Sequence, residues 1–245
     1  MTRVHFIGIG GSGLSAIARL LLESGYTVTG SDRVLSPLAV DLQAAGATVY
    51  LGHDAGHIAG ADWVARSSAI PDDNPEVLAA QQAGIPVYKR MDFLGQFMEG
   101  KIGIAVAGTH GKTTTTAMLA WTLSALGQDP SFIIGGVASN FGVNARAGKG
   151  KTFVIEADEY DRMFLGLKPA IEVVTNIEHD HPDCFPTPLD FYNAFVEFAR
   201  LLPAEGTLVA CAEDAGAARL LVETKKTGKR VVAYGIGDQC SVISM

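Results

Sequence analysis

Twice in this chain an apolar run ends in a glycine-rich loop that opens directly onto a helix-compatible segment, as GIGGSG at 8–13 and GTHGKTT at 108–114. Bare glycine backbone lets the chain turn sharply and leaves the first N–H groups of the following helix open to an anion. A strand, loop and helix in that order belong to a parallel sheet with crossover helices. The surrounding pattern agrees, predicting a strand at 4–9, a helix over 12–23, a strand at 27–31 and a further strand at 63–65. Later strands are predicted at 102–107, 152–155 and 171–175. The expected fold class is α/β, with a Rossmann-like parallel-sheet domain over 1–99, a boundary near Gly100 and a second α/β domain over 100–245.

Composition narrows the ligands. An apolar share of 48% supplies enough core for two modest domains, and a net charge of -7 without any dense Lys/Arg stripe argues against nucleic acid. Any anionic ligand must be gripped locally. Cys184, Cys211 and Cys240 are widely spaced and form no C-x-x-C pair, so neither a disulfide framework nor a zinc site is expected. The N-terminus has no signal-peptide pattern and no apolar stretch approaches a membrane span, so a soluble, unexported, cytoplasmic protein without membrane attachment is expected.

In the first loop, Gly8, Gly10 and Gly13 satisfy G-x-G-x-x-G after a strand, and Asp32 follows the next strand, as in the dinucleotide fingerprint. An NAD-binding oxidoreductase or sensor is one reading; the diphosphate of a UDP-sugar fits the same glycines. The candidate UDP-sugar residues are Gly10, Gly11, Ser12, Gly13, Asp32, Ser67 and Ser68. Asn74, ahead of Pro75, is equally suited to cap a helix.

The second loop carries more chemistry. Lys112 is placed to reach β and γ phosphates, backbone N–H groups to cradle them and the Thr113 hydroxyl to sit on Mg2+, which reads as a P-loop-type ATPase domain. Gly108, Thr109, Gly111, Lys112, Thr113 and Thr114 are the candidate ATP-binding residues. The loop departs from the general pattern at Val106, where glycine is usual. EADEYD at 156–161 follows one predicted strand and NIEHDH at 176–181 another, so both reach the carboxyl edge where ligands bind. Thr113 and Glu156 form the expected Mg2+ pair, with one of His179 and His181 on the metal or its water, and Lys112 and Glu156 are catalytic candidates. Asp158 and Glu159 are left to water or caps, and His5, His53, His57 and His110 to structure.

GTHGKTTTT at 108–116, EADEYD and TNIEHDH at 175–181, with GIGGSG in front and SSAI at 67–70, make the chain resemble the Mur ligase family. The resemblance implies UDP-N-acetylmuramate on the first domain, ATP with Mg2+ on the second, and ATP-dependent joining of L-alanine to the sugar carboxylate in peptidoglycan synthesis. It displaces the NAD reading. It also implies phosphate and metal roles for Lys112, Thr113, Glu156 and His181, with Asn140, Arg146 and Asn176 near substrate. EADEYD, with Tyr160, is also similar to the family's recycling ligase, which attaches a tripeptide. The family carries a third domain and further ATPase residues beyond Met245. The second domain is therefore expected to be incomplete, and the chain to bind UDP-sugar but turn over poorly alone. A UDP-sugar-binding module with a vestigial ATPase half is the non-catalytic alternative.

Overall fold

The computed structural model describes residues 1–237 and 240–243. In chain order, β1 (Arg3–Ile7), α1 (Ser12–Glu23), β2 (Thr27–Asp32), α2 (Pro37–Ala44) and β3 (Thr48–Leu51) come first. β4 (Trp63–Arg66), α3 (Pro75–Gln82), β5 (Val87–Tyr88) and the short α4 (Arg90–Phe93) follow. Next are β6 (Ile102–Ala107), α5 (Lys112–Ala125), β7 (Ser131–Ala138), β8 (Val143–Arg146), β9 (Thr152–Glu156) and β10 (Ile171–Val174). Last are α6 (Pro188–Arg200), β11 (Thr207–Cys211), α7 (Ala215–Lys226), β12 (Arg230–Gly235) and β13 (Val242–Ile243). No helix among the described residues is long and apolar enough to cross a membrane.

The chain divides into two compact units. Met1–Phe93 and Phe132–Gly148 make the first, and Leu94–Ser131 with Lys149–Met245 the second. The sequence reading draws a single boundary near Gly100; in the structure residues 132–148 pack with the first unit. There β8 lies against α1, and the buried Asn144 donates to Ser15 Oγ at 3.1 Å and to the Ser12 carbonyl at 3.3 Å.

The first unit is a parallel sheet in the order β3-β2-β1-β4-β5. The predicted strand at 4–9 stops at Ile7, because Gly8 turns with φ +86. Under the sheet edge lies a polar knot. Glu76 of α3, fully buried, hydrogen-bonds His5 Nε2 at 3.3 Å, His53 Nδ1 at 2.8 Å, His57 Nδ1 at 2.9 Å and the Ser31 hydroxyl at 2.6 Å. His57 also stacks on Tyr50 with ring centroids 4.2 Å apart. Burial pushes the Glu76 carboxyl up, but its bonds to His5, Ser31 and His53 outweigh that and hold it at about 2.

In the second unit β6 lies between β9 and β10, and β10 is followed outward by β11 and β12, all parallel. Its core is aromatic. Phe191, Phe195 and Phe198 recur on the inner face of α6, and Phe164 and Phe185 meet them with centroids 4.7–5.5 Å apart. Five fully buried phenylalanines fix α6 on the sheet, each contributing roughly 2–3 kcal/mol of transfer free energy.

Candidate functional site

A chain entering a helix leaves four N–H groups without intrahelical partners, and most helices here satisfy some of them with a side chain. Ser36, Asn74, Thr187 and Asp214 cap α2, α3, α6 and α7 in that way. Among the described helices of eight residues or more, the exceptions are α1, capped by Gly11, and α5, capped by Gly111. Both have a glycine and no side-chain bond at the cap, and both follow the glycine loops. Their N-termini therefore keep donors and positive dipole ends for an anion.

At the first loop, Gly8 N–H and Ile9 N–H both donate to the Ser31 carbonyl, at 2.8 and 3.1 Å. Asp32 Oδ2 accepts from Gly10 N–H at 2.8 Å, and the Ser36 hydroxyl donates to the Gly10 carbonyl at 2.8 Å. Ile7 is level with both Ser31 and Arg66, which brings Gly8–Gly13, Asp32 and Ser67 to one carboxyl edge of the sheet. Asp32 thus shapes the loop. Ser67 N–H donates to the Ile7 carbonyl at 3.1 Å and Ser68 is exposed beside it. Sequence reasoning missed Arg90, whose guanidinium lies where a Cβ on Gly13 would project. That cation adds positive charge beside the N-terminal turn of α1, and a lone arginine on a later short helix gives no sequence signal of that placement.

At the second loop, β6 runs straight through Val106, which is level with Glu156 on β9 and buried in the sheet. That is why no glycine stands there: the loop begins only at Gly108. Gly111, at φ +82, turns the chain into α5, which starts at Lys112 rather than at the threonines after it. The TNIEHDH segment is stitched to the loop. The Thr109 hydroxyl donates to the Glu178 carbonyl at 2.8 Å, His110 N–H donates to Asn176 Oδ1 at 2.9 Å, and the Thr175 hydroxyl donates to the His110 carbonyl at 2.6 Å. Thr109 and Asn176 therefore hold loop to loop, while Thr114 is exposed on the first turn of α5.

Thr113 Oγ1 and Glu156 Oε1 are 3.0 Å apart, two hard oxygen ligands side by side at the sheet edge. Among the described residues no three His, Cys, Asp or Glu side chains are arranged to hold a metal ion. A cation that keeps most of its waters needs only a carboxylate and a hydroxyl from the protein, so this pair fits Mg2+ and not a closed zinc cage. His181, held at φ 53, has its Nε2 3.6 Å from Glu159 and 3.8 Å from Asp180 and its ring edge-on to Tyr160. Asp183 accepts from the Tyr160 hydroxyl at 3.0 Å, and its hydrogen bond and charge push that phenol up to about 12.

The site residue that sequence reasoning passed over is Glu159. It is fully buried and its Oε1 takes the Lys112 ammonium at 2.9 Å. Burial lifts its carboxyl above the usual value, although the bond and charge of Lys112 pull the other way. Of the remaining candidates, Arg146 lies over the rings of Phe132 and Phe141 at 5.3 and 5.2 Å, and Asn140 is exposed in the β7–β8 turn.

Residues 3–102 match the Mur ligase family, catalytic domain, and residues 106–244 match the Mur ligase middle domain. The chain is similar to the UDP-N-acetylmuramate--L-alanine ligase of Paenarthrobacter aurescens, 48% identical over 241 residues, which are 98% of this chain and 53% of the relative. The enzyme of the same name from a Nocardioides species is 49% identical over 236 residues, 96% of this chain and 53% of the relative. The chain spans about half the length of these curated relatives. Among solved structures, the UDP-N-acetylmuramate-alanine ligase of Thermotoga maritima superposes with a TM-score of 0.86 at 30% identity, over 97% of this chain and 53% of that one. The UDP-N-acetylmuramate:L-alanyl-gamma-D-glutamyl-meso-diaminopimelate ligase of Neisseria meningitides gives a TM-score of 0.86 at 33% identity, over 96% of this chain and 78% of that one.

Proposed function

The chain belongs to the Mur ligase family, and on that premise we propose that it supplies the UDP-sugar unit and much of the ATP unit of a cytoplasmic enzyme joining L-alanine to UDP-N-acetylmuramate for peptidoglycan. The observation that carries the reading is the second loop: an uncapped α5 N-terminus, Lys112 at its first position and the Thr113–Glu156 oxygen pair beside it. Identities of 48–49% to L-alanine ligases support the acceptor. The first loop, with Asp32 shaping it and Arg90 beside Gly13, suits the UDP diphosphate, with Gly10, Gly11, Ser12, Ser67 and Ser68 along the same edge.

A carboxylate does not react with an amine at neutral pH, because oxide is too poor a leaving group. In the proposed reaction the muramoyl carboxylate oxygen attacks the γ-phosphorus of ATP, the bond to the β-phosphate oxygen breaks, and ADP leaves. The alanine amine then attacks the acyl phosphate carbonyl, and inorganic phosphate and a proton depart as the amide forms. Lys112 and the N–H groups of the α5 first turn neutralise charge on the phosphoryl oxygens, and positioning supplies most of the rate. Thr113 and Glu156, with His181, would hold Mg2+, which when bound offsets phosphate charge. No enzyme nucleophile is required.

A second reading, addition of a tripeptide to the same sugar carboxylate, is favoured by Tyr160 within EADEYD and by the similarity to the Neisseria enzyme. The test is calorimetric titration of UDP-N-acetylmuramate and Mg-ATP into wild type and Lys112→Ala. Sugar binding to both proteins, with Mg-ATP affinity falling at least roughly 30-fold in the variant, is the expected result. NADH binding with neither ligand bound would overturn the assignment.

A further inference from the structure

The Lys112 ammonium has three N–H bonds and three acceptors: the Gly108 carbonyl at 2.7 Å, the Thr109 carbonyl at 3.3 Å and Glu159 Oε1 at 2.9 Å. An arriving phosphate must displace one of them. The two carbonyls belong to the loop that wraps the ligand, so they move with it. Glu159 is the only charged acceptor of the three and stands on a different segment, the turn after β9.

That turn is built for the placement. Ala157 N–H donates to the Val106 carbonyl at 2.8 Å, keeping the chain beside β6, and Arg162 N–H donates to the Glu159 carbonyl at 2.9 Å. Asp161 and Arg162 sit at φ 53 and 54, a left-handed pair that non-glycine residues rarely adopt and that surrounding structure must impose. Glu159, just before that pair, is fully buried, and its Oε2 has no hydrogen-bond partner among the described residues. An oxygen left unmet in a buried carboxylate makes the single ammonium beside it indispensable. Glu156, three residues earlier, faces Thr113 instead. His181 Nε2, 3.6 Å from Glu159 Oε1, is the donor next in line for that oxygen.

We propose that Glu159 is the positioning residue of the phosphate-loop lysine: it holds the Lys112 ammonium on the loop's own carbonyls before nucleotide binds and yields it to the nucleotide phosphate in exchange for His181. The inference rests on reading this loop as an ATP site. It makes the free site rigid and correctly formed at the expense of phosphate affinity, because every binding event breaks an ion pair.

Two measurements on the 245-residue chain test it. In Glu159→Gln, which keeps the volume but not the charge, Lys112 in the ligand-free protein is expected to react several-fold faster with an amine-acylating reagent, read by mass spectrometry. ADP without divalent cation is expected to bind roughly 10-fold tighter, as a charged acceptor is replaced by a neutral one. A merely structural role would loosen binding, not tighten it. Glu159→Asp, which withdraws the carboxylate from the ammonium, should shift both readings the same way, should the glutamine variant fold poorly. Unchanged acylation at Lys112 overturns the proposal. So does a tightening that persists in Lys112→Met, read by competition at millimolar ADP, since the carboxylate would then be repelling phosphate directly. A wild type that acylates as expected but binds no ADP overturns the ATP reading of the loop and leaves the Lys112–Glu159 pair as structural only.

Discussion

Gly108 has φ +134, and a Cβ there would run into the Thr175 hydroxyl and lie 3.1 Å from the Asn176 backbone. Gly108→Ala should therefore break the stitching between the loop and the TNIEHDH segment, cost about 1–3 kcal/mol in urea unfolding and weaken nucleotide binding together with stability. Two buried glutamates make opposite claims on pH. The Glu76 carboxyl is held at about 2 against 4.5, so its contribution is present above pH 4.5 and is lost as pH falls toward 2, by up to about 3 kcal/mol. Glu172 on β10 is fully buried, neither of its oxygens has a partner and burial lifts it well above 4.5 despite Lys229. Its contribution is present below pH 4.5 and lost as pH rises through the raised value. Glu76→Gln should flatten the acid limb of stability measured against pH, and Glu172→Met should raise stability at pH 8 by about 1 kcal/mol; a Glu172→Met chain less stable than wild type at pH 8 would contradict the account.

Among the elements, α6 shows how local signals and packing divide the work. Its start is a reciprocal cap: the Thr187 hydroxyl accepts from Asp190 N–H at 3.2 Å while Asp190 accepts from Thr187 N–H at 3.1 Å, with Pro188 at the first helical position. Its inner face is the phenylalanine stripe. Thr187→Ala should cost about 1 kcal/mol, whereas Phe195→Ala, which empties the space between Phe164 and Phe191, should cost about 3–5 kcal/mol. Denaturant midpoints at constant slope would rank the two, and equal losses would mean that the stripe packs more loosely than the rings indicate. By contrast α1 and α5 have a glycine at the cap and no side-chain bond there, which leaves their first N–H groups to water or to an anion.

For the whole molecule, the consequential feature is that the first unit is discontinuous. Residues 1–93 hold its parallel sheet, but β8 covers α1 and Asn144 satisfies Ser15 from far along the chain. A fragment of residues 1–99 should thus unfold at lower denaturant than the same residues in the full chain, with the excess hydrogen exchange concentrated in α1. A fragment as protected in α1 as the full chain would show that the returning hairpin adds nothing.

The glycine loops, the lysine and threonines of the second loop and the strands before them were legible because each depends on neighbours a few residues away: an apolar run makes the strand, glycine makes the turn, and the helix supplies the N–H groups. The position of EADEYD and NIEHDH at the carboxyl edge of the sheet was legible for the same reason, since each follows its own strand directly. Which carboxylate meets which partner was decided only in three dimensions. Glu159 of the turn after β9 meets Lys112 of α5 across 47 residues of chain, and His5, His53 and His57 gather on Glu76 because separate segments converge there. Likewise residues 132–148 return to the first unit to cover α1. A chain states locally which bonds it can make; burial, which removes water as the alternative partner, selects among the distant ones.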